Sequence, residues 1–234
     1  MSIPTESRVA IVTGAASGIG AAVVRELRGA GWAVAGLDLS KSEADMSSIV
    51  DVTDAGAVND VIAGVGRELG PIGAVVSAAG HYETVSIEQI TEAQWQAMLA
   101  VHLGGLVNVT RSVLPTMVGR GAGYIVAISS ELAIGGGDGD AHYAAAKGAI
   151  LGMVRSLALE VAESGVRVNC VAPGPTDTPL LAPDSPSRAA EYLATLPCRR
   201  LARPEEIARV VRFLVDEGSQ LVGEVISVNS GAVI

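Results

Sequence analysis

The stretch Thr13-Gly14-Ala15-Ala16-Ser17-Gly18-Ile19-Gly20 decides the fold of this chain. It follows the apolar run Val9–Val12 and opens a segment with helical spacing, Gly20–Ala30. Its glycines let backbone come close to a pyrophosphate, and the helix N-terminus supplies amide groups and a positive dipole. The stretch is either a dinucleotide-binding turn, which its place at the first strand–helix junction favours, or a purely structural glycine turn.

Apolar runs of strand length recur outward from this turn, and segments with helical spacing lie between most of them. The runs are Val9–Val12, Trp32–Leu37, Ile49–Val52, Ala74–Val76, Tyr124–Ile128, Val166–Val171 and Val225–Val228; the helical segments are Gly20–Ala30, Ala57–Leu69, Glu92–Val118, Ala141–Ala162 and Pro204–Val215. Strands without alternation predict a buried parallel sheet of about seven strands with helices on both faces. We therefore expect a single doubly wound, Rossmann-like α/β domain over residues 1–234.

One connection is unusually short. About ten residues, 39–48, separate the second run from the third. A crossover between parallel strands normally needs a dozen or more residues, so we expect an abbreviated turn there instead of a helix.

Composition excludes several classes of function. The 234 residues carry a net charge of −9, which argues against nucleic acid as a partner. No uninterrupted apolar run reaches membrane-spanning length, and the start Met1–Glu6 lacks the features of a signal peptide. The two cysteines, Cys170 and Cys198, lack metal-site spacing, and Cys170 lies in an apolar run. We expect a cytoplasmic protein with no membrane partner and no metal.

Asp38 follows the second strand, eighteen positions after Gly20. A carboxylate there accepts hydrogen bonds from the ribose hydroxyls of adenosine and repels a 2′-phosphate. Ser17 stands where a basic residue would help to hold that phosphate, and Lys41 follows too late to replace it. The pattern predicts NAD in preference to NADP; the alternative is that Asp38 only caps a helix.

Tyr143 and Lys147 are four residues apart, so a helix places the phenol and the ammonium on one face. An ammonium beside a phenol favours the phenolate and lowers a pKa that is normally about 10. Ser130 lies thirteen positions upstream, and its hydroxyl is suited to hold a reacting oxygen. The three residues predict acid/base chemistry, although the spacing of tyrosine and lysine alone is also common in exposed helices.

The order of these motifs resembles the short-chain dehydrogenase/reductase family over nearly the full chain. The resemblance rests on the turn at 13–20, Asp51-Val52-Thr53, the set Ser130/Tyr143/Lys147, and Pro173-Gly174-Pro175-Thr176-Asp177-Thr178. It implies that Tyr143 is the general acid/base on the carbinol oxygen. Lys147 would lower the pKa of Tyr143 and hold the nicotinamide ribose, and Ser130 would orient the substrate oxygen.

The resemblance also implies contacts to the rest of the dinucleotide. Asp51 would accept from the adenine amino group, Val52 would donate its backbone amide, and Thr176 and Thr178 would fix the carboxamide. The full set of expected cofactor-binding residues is Gly14, Ser17, Gly18, Ile19, Gly20, Asp38, Leu39, Asp51, Val52, Ala78, Ala79, Gly80, Tyr143, Lys147, Pro173, Gly174, Thr176 and Thr178.

Two positions depart from the family pattern. The turn Ser77-Ala78-Ala79-Gly80 replaces the family's Asn-Asn-Ala-Gly, and His102 replaces an active-site asparagine that helps to hold a relay water. His102 either keeps the backbone contact, substitutes its own titrating ring, or is a packed histidine without a catalytic role.

Four further regions concern the substrate. Glu131 and Leu132 are expected to line the pocket, together with His81 after Gly80. His142 is expected at the surface or an interface, because a helix turns it away from Tyr143. A glycine-rich rim at 135–140 and a lid at about 180–197 complete the predicted pocket.

The leading hypothesis is an NAD-dependent alcohol dehydrogenase or carbonyl reductase acting on a small or cyclic secondary alcohol, with a loose likeness to dihydrodiol dehydrogenases. One alternative is a 3-oxoacyl-carrier-protein reductase, which Asp38 disfavours. The other is an NAD-binding sensor or structural subunit without turnover. A homo-oligomer, dimer or tetramer, is expected from apolar residues on several sides of the segments 92–118 and 141–164.

Overall fold

The computed structural model describes residues 8–233, and its seven strands form one parallel sheet. The strands are β1 (Val9–Thr13), β2 (Ala33–Asp38), β3 (Met46–Ile49), β4 (Ile72–Ser77), β5 (Gly123–Ile128), β6 (Val166–Pro173) and β7 (Val225–Val228). Their order in the sheet is β3-β2-β1-β4-β5-β6-β7, and every pair is parallel. This is the doubly wound fold that the sequence predicted. The start Met1–Glu6 lies outside the described residues.

Within residues 8–233, eight α-helices accompany the strands. They are α1 (Gly18–Gly29), α2 (Ala55–Glu68), α3 (Glu92–Leu99), α4 (Gly105–Arg120), α5 (Leu132–Gly135), α6 (Ala141–Val161), α7 (Ala190–Thr195) and α8 (Pro204–Asp216). Short 3₁₀ turns occur at Ala162–Ser164 and Pro186–Arg188.

Each face of the sheet carries its own apolar core, which explains why the strands lack alternation. In β1, Val9 and Ile11 join a core that includes residues of α2, α4 and α6. Ala10 and Val12, on the other face, join a core that includes residues of α1 and α8. Because both faces are covered, apolar residues are required at successive positions.

The third strand was predicted at Ile49–Val52 but spans Met46–Ile49. β3 is an edge strand that pairs only with β2, so polar residues such as Ser47 are tolerated in it. Val50 and Val52 are buried, but they lie in the turn after the strand. The hydrophobic pattern therefore predicted the burial of Val50 and Val52 correctly, but it placed β3 three residues too late. The abbreviated connection before β3 is confirmed, since no helix lies between β2 and β3.

The segment predicted as one helix at 92–118 is interrupted by a π-helical turn, Ala100–Gly104, which separates α3 from α4. The whole stretch Glu92–Arg120, with a mean hydropathy of 1.3 over its most apolar window, is long and apolar enough to cross a membrane. Those two properties also fit a core helix, and α4 packs Leu106, Val109 and Val113 against the sheet. The absence of a membrane partner stays a prediction.

The topology reverses direction between β1 and β4, which are neighbours in the sheet. In open α/β sheets, ligands bind at the carboxyl ends of the strands beside such a reversal. The glycine turn follows β1 and the turn at 78–80 follows β4. The fold therefore brings these two predicted cofactor-binding turns together.

We predict that Gly20→Ala lowers the free energy of unfolding by about 3 kcal/mol, because overpacking against backbone is poorly tolerated. A Cβ at this position would lie 1.9 Å from the carbonyl oxygen of Gly14. Gly29→Ala in the same helix is the matched control: a Cβ there meets nothing within 4 Å. It should stabilise by about 0.5–1 kcal/mol. Urea denaturation followed by circular dichroism measures both, and equal effects would contradict the packing.

Candidate active site

One cavity of about 480 Å³ lies at the carboxyl ends of β1, β2 and β4. Its walls contain most of the residues predicted to bind the adenosine and pyrophosphate. They are Gly14, Ser17, Gly18, Ile19, Gly20, Asp38, Leu39, Asp51, Val52, Ala78, Ala79 and Gly80. The fold thus gathers segments from separate strand ends into one groove.

The glycine turn has the conformation that its residues permit. Gly14 and Gly18 have φ of +66° and +53°, in the left-handed region that favours glycine. A Cβ on Gly14 would lie 2.8 Å from the carbonyl oxygen of Ala78, so only glycine allows this approach of β1 to the β4 turn. Ser17 precedes α1 but does not cap it with its side chain. The first amides of α1 therefore remain available to an anion.

Thr13 joins the two turns and was not predicted as a functional residue. Its buried hydroxyl oxygen accepts hydrogen bonds from the amides of Ala78 and Ala79, both at 3.0 Å. These bonds hold the altered turn Ser77–Gly80 in place without the asparagine side chains of the family pattern. The sequence could have indicated this role of Thr13, because a threonine at the end of a buried strand needs a hydrogen-bond partner.

Asp38 lies at the end of β2 with both carboxylate oxygens oriented by backbone. Oδ2 accepts from the amide of Ala16 at 3.0 Å, and Oδ1 accepts from the amide of Ser40 at 3.0 Å. No lysine or arginine is among the described residues that line this cavity. The groove therefore presents negative charge where a 2′-phosphate would need a cation.

Asp51 and Val52 close the adenosine end of the groove. Asp51 Oδ1 accepts from the amide and the hydroxyl of Thr53, both at 2.8 Å. Asn108 of α4 holds the same loop by donating its side-chain amide to the carbonyl oxygen of Val52 at 2.9 Å. The predicted contacts to adenine stay predictions, but the loop that would make them is fixed from two sides.

A second cavity of about 430 Å³ contains Ser130, Tyr143 and Lys147. Ser130 follows β5, whereas Tyr143 and Lys147 lie one turn apart on α6. The Nζ of Lys147 donates to the carbonyl oxygen of Ile128 at 2.8 Å and lies 5.6 Å from the centre of the Tyr143 ring. The predicted catalytic set therefore meets in one place.

Ser129 was missed by the sequence analysis and anchors the helix that carries this set. Its hydroxyl is buried and donates to the backbone carbonyl of Lys147 at 2.8 Å. The bond ties α6 to the end of β5. The two adjacent serines therefore have different contacts: Ser129 binds the backbone of α6, and Ser130 lines the second cavity.

The pKa of Tyr143 is raised in the protein without cofactor, whereas the sequence analysis considered only the lowering expected from Lys147, which stays a prediction. Burial is the largest cause, followed by the negative charge of Glu131. Burial also lowers the pKa of Lys147 to about 8, so the amine stays mostly protonated near neutral pH. The spacing of four gave the right geometry, but it contained no information about burial. Without a cofactor, Tyr143 is a neutral phenol.

His102 lies in the π-helical turn with its ring almost fully buried. Its Nε2 lies 2.8 Å from the carbonyl oxygen of His81 and 3.3 Å from the amide nitrogen of the same residue. Because a carbonyl oxygen only accepts, the shorter contact favours a proton on Nε2, and Nδ1 then has no partner among the described residues. The ring packs edge-on to Tyr143, and a Cβ on Gly80 would lie 2.3 Å from its Cε1. Burial, followed by the charge of Lys147, lowers the pKa of His102 to about 2. A packed neutral histidine therefore fits this position better than a titrating ring, and a catalytic role for His102 stays a prediction.

The other two histidines have different fates. His142 was expected at the surface or an interface, but its side chain is buried in the described chain with Nε2 3.3 Å from a carboxylate oxygen of Glu83. The loop after β4 folds over the start of α6 and covers it, which spacing along one helix does not reveal. His81 lines the nucleotide cavity, whereas the prediction placed it in the substrate pocket.

The predicted pocket residues Glu131 and Leu132 do line the second cavity. Glu131 is buried, and its Oε2 accepts a hydrogen bond from the Ser130 hydroxyl at 2.8 Å. Asp140, also buried, accepts from the Tyr82 hydroxyl at 2.8 Å. Glu131 was predicted to line the pocket and Asp140 to lie in its rim, but no hydrogen-bonding role was predicted for either carboxylate.

The segment after β6 borders both cavities. A Cβ on Gly174 would lie 2.6 Å from the Cα of Asn229, so this turn packs directly on the end of β7. Thr176 donates its hydroxyl to the carbonyl oxygen of Gly174 at 2.8 Å. Residues lining both cavities, which make the groove continuous, are Ile19, Ala78, Gly80, Thr178 and Leu180.

The predicted lid, 180–197, contains a 3₁₀ turn and α7, and it contributes Leu181 and Tyr192 to the second cavity. Arg188 ties the lid to the turn below by donating to a carboxylate oxygen of Asp177 at 2.7 Å. Ala232 and Val233, near the end of the chain, line the same cavity and were not predicted.

The residues present fit a nicotinamide dinucleotide. A glycine turn with uncapped helix amides, an acceptor at the end of β2 and a continuous groove to Tyr143 provide binding sites for each of its parts. Gly14, Gly18 and Asp38 would hold the pyrophosphate and ribose. When bound, the cofactor supplies hydride transfer at its nicotinamide ring.

Known proteins resemble this chain over nearly its whole length. A family model described as enoyl-(acyl carrier protein) reductase matches residues 14–233. The 3-oxoacyl-[acyl-carrier-protein] reductase of Thermotoga maritima is 36% identical over 98% of this chain and 99% of its own. The cis-4-hydroxycyclohexanecarboxylate dehydrogenase of Sinomonas cyclohexanicum is 37% identical over 96% of each.

A solved structure agrees with these relatives. The ligand-free aldohexose dehydrogenase of Thermoplasma acidophilum has a TM-score of 0.91 and 29% identity, covering 99% of this chain and 96% of that one. The chain belongs to the short-chain dehydrogenase/reductase family, as the motif order predicted. It is therefore an oxidoreductase of the class that uses a nicotinamide cofactor on CH–OH or keto groups.

We predict that His102→Asn leaves the position of the pH–rate profile unchanged, because a ring with a pKa of about 2 does not titrate in the working range. The free energy of unfolding should fall by about 1–3 kcal/mol, since a buried ring is replaced by a smaller side chain. Steady-state kinetics from pH 5 to pH 10 and thermal unfolding measure these effects. Loss of a limb of the profile near pH 6–7 would contradict the assignment of a neutral ring.

Proposed function

We propose that this protein is an NAD-dependent oxidoreductase that interconverts a small or cyclic secondary alcohol, such as a cyclic diol, and the corresponding ketone. The observation that carries the proposal is the continuity of the two cavities. The groove that begins at Gly14 and Asp38 runs directly into the cavity of Ser130, Tyr143 and Lys147. A dinucleotide held in the first cavity therefore brings its reactive end to the second.

Asp38 supports NAD over NADP. Its carboxylate is oriented by the amides of Ala16 and Ser40 and faces a cavity without a described lysine or arginine. Lys41 is exposed and lies outside the residues that line this cavity. A ribose with two free hydroxyls gains acceptors here, whereas a 2′-phosphate would meet negative charge.

The residues of the second cavity support acid/base chemistry on an alcohol. In the oxidation direction the carbinol carbon loses hydride to the cofactor, and the hydroxyl proton goes to the phenolate oxygen of Tyr143. Because burial raises the pKa of Tyr143, the cation charge near it matters. Lys147 and the positive charge of the oxidised cofactor both favour the phenolate. In the reduction direction the neutral phenol donates its proton to the ketone oxygen.

A 3-oxoacyl-carrier-protein reductase is the second candidate, because the Thermotoga maritima relative bears that name at 36% identity. Two features disfavour it. Asp38 opposes the 2′-phosphate of NADP. Two arginines near the lid are paired with carboxylates of this chain, Arg188 with Asp177 and Arg200 with Glu206, so these two are less suited to hold an acidic carrier.

The third candidate function is that of a sensor or structural subunit that binds NAD without turnover. The neutral packed His102 removes one reason to suspect it, because the ring fits its site without disturbing Ser130, Tyr143 or Lys147. For the chain as a whole, a cytoplasmic homo-oligomer remains part of the proposal. Exposed apolar residues such as Leu159 on α6 and Val118 on α4 are suited to contacts between copies.

We predict that Asp38→Asn weakens NAD⁺ binding about tenfold or more, because hydrogen bonds to a charged acceptor contribute about 1.5–3 kcal/mol each. The preference over NADP⁺ should fall with it, since the repulsion of the 2′-phosphate is removed. Isothermal titration with both cofactors measures the change. Asp60→Asn, an exposed aspartate on α2, is the matched control for charge. A wild-type protein that binds NADP⁺ more tightly would overturn the cofactor assignment.

We predict that Tyr143→Phe lowers kcat by about 10²–10⁴-fold, the usual contribution of a general acid/base. The Kd for NAD⁺ should change little. A panel of cyclic alcohols with NAD⁺, followed by NADH absorbance, measures turnover. Tyr124→Phe removes one buried tyrosine hydroxyl from β5 outside both cavities and is the control. Undiminished turnover in Tyr143→Phe would contradict the mechanism, and cofactor binding without turnover in the wild type would favour the sensor.

A further inference from the structure

The hydroxyl of Ser130 is engaged before any substrate arrives. It donates to Oε2 of Glu131 at 2.8 Å, and the amide of Leu132 donates to its oxygen at 3.2 Å. Glu131 is only 6% exposed and lines the substrate cavity. The catalytic serine and a buried carboxylate therefore form one hydrogen-bonded pair at the reacting centre.

This pair creates a conflict. A serine hydroxyl has a single proton, so it cannot donate to Glu131 and to a substrate oxygen at once. If the proton turns to the substrate, the buried carboxylate keeps its backbone donors, Glu131 and Leu132, but loses its side-chain donor, which is unfavourable unless another donor replaces it. A substrate that brings its own donor to Glu131 removes this cost.

The charges around the pair define the donor. Lys147 is the only lysine or arginine among the described residues that line this cavity, and its Nζ donates to the carbonyl of Ile128. Asp140, the second buried carboxylate of the cavity, is already satisfied by Tyr82. An anionic substrate would face two carboxylates, whereas a neutral hydroxyl compound finds an acceptor.

We propose that Glu131 is a specificity-determining residue that accepts a hydrogen bond from a hydroxyl on the carbon next to the reacting carbon. The substrate is then a neutral vicinal diol or, in the reverse direction, an α-hydroxyketone. Oxygens on adjacent carbons are about one hydrogen-bond length apart, which matches the separation of Ser130 Oγ and Glu131 Oε2. The neighbouring hydroxyl replaces Ser130 on Glu131 and releases the serine proton to the reacting oxygen.

The inference rests on the proposed function, because it assigns the substrate class of the same site. In oxidation, one carbinol carbon gives its hydride to NAD⁺ and its hydroxyl proton to Tyr143, and becomes the ketone. The neighbouring hydroxyl keeps its proton and only changes hydrogen-bond partner. The reaction therefore needs no further oxidant or reductant.

The test compares two cyclic diols with the alcohol that lacks their second hydroxyl. We would measure kcat/KM with NAD⁺ for cis- and trans-cyclohexane-1,2-diol and for cyclohexanol. The wild type should favour at least one diol about tenfold or more over cyclohexanol. Glu131→Gln should lower kcat/KM for that diol about tenfold relative to kcat/KM for cyclohexanol, so that the ratio of the two falls to about one. Glu160→Gln, an exposed glutamate on α6, is the matched control and should keep the ratio.

Two further readouts separate specificity from folding. Thermal unfolding and NAD⁺ affinity should stay close to wild type in Glu131→Gln. If that variant unfolds, Glu131→Asp, which keeps the charge but withdraws it by one methylene, should also lose the diol preference. A merely structural glutamate would lower the rates for diol and cyclohexanol equally.

The outcomes distinguish the two proposals. Two results would overturn the role of Glu131 and leave the proposed function standing. The first is a wild type whose kcat/KM for cyclohexanol equals that for the diols. The second is a Glu131→Gln variant that keeps the preference for the diol. If Glu131 is protonated in the wild type, Glu131→Gln should keep the diol preference, because a glutamine side chain is neutral like a protonated glutamate. A protein that binds NAD⁺ but oxidises none of the three alcohols overturns the proposed function itself.

Discussion

The burial of the Lys147 ammonium against a single carbonyl oxygen is the constraint on which the catalytic site depends. Its Nζ donates to Ile128 at the end of β5, and the residue is only 5% exposed. A buried cation is tolerated only with a well-placed acceptor, so α6 must dock where β5 ends. Ser129 secures the same junction through the backbone of Lys147. Tyr143, one turn earlier, is thereby fixed inside the cavity.

The surroundings of Tyr143 disfavour ionisation of its phenol in the protein without ligands. Burial and then the charge of Glu131 raise the pKa of Tyr143, and burial lowers the pKa of Lys147. The free protein therefore contains a neutral phenol beside a Lys147 amine that is still mostly protonated near neutral pH. Binding of an oxidised cofactor adds positive charge, and a hydroxyl donated to Glu131 offsets that carboxylate. In this account both ligands move the site toward the phenolate that oxidation needs.

Sequence patterns predicted the fold and most of the site because those features depend on local chemistry. Local geometry alone makes three features predictable: the glycines of 14–20, the carboxylate of Asp38, and the spacing of Tyr143 and Lys147. What failed depended on contacts between distant segments. The edge position of β3, the burial of His142 under the loop at Glu83 and the raised pKa of Tyr143 all arise from packing. Thr13 and Ser129 were missed because their partners lie on other strands and helices.

The central claim is that a carbinol hydrogen passes as hydride to a nicotinamide held in the groove while Tyr143 takes the proton. The most direct measurement uses cyclohexane-1,2-diol deuterated at both carbinol carbons, with NAD⁺, and locates the deuterium by NMR. One deuterium at C4 of the reduced nicotinamide is expected for each ketone formed, with transfer slowed about 10²–10⁴-fold in Tyr143→Phe. Binding of NAD⁺ and diol without reduction, or reduced cofactor that contains no deuterium, would contradict it.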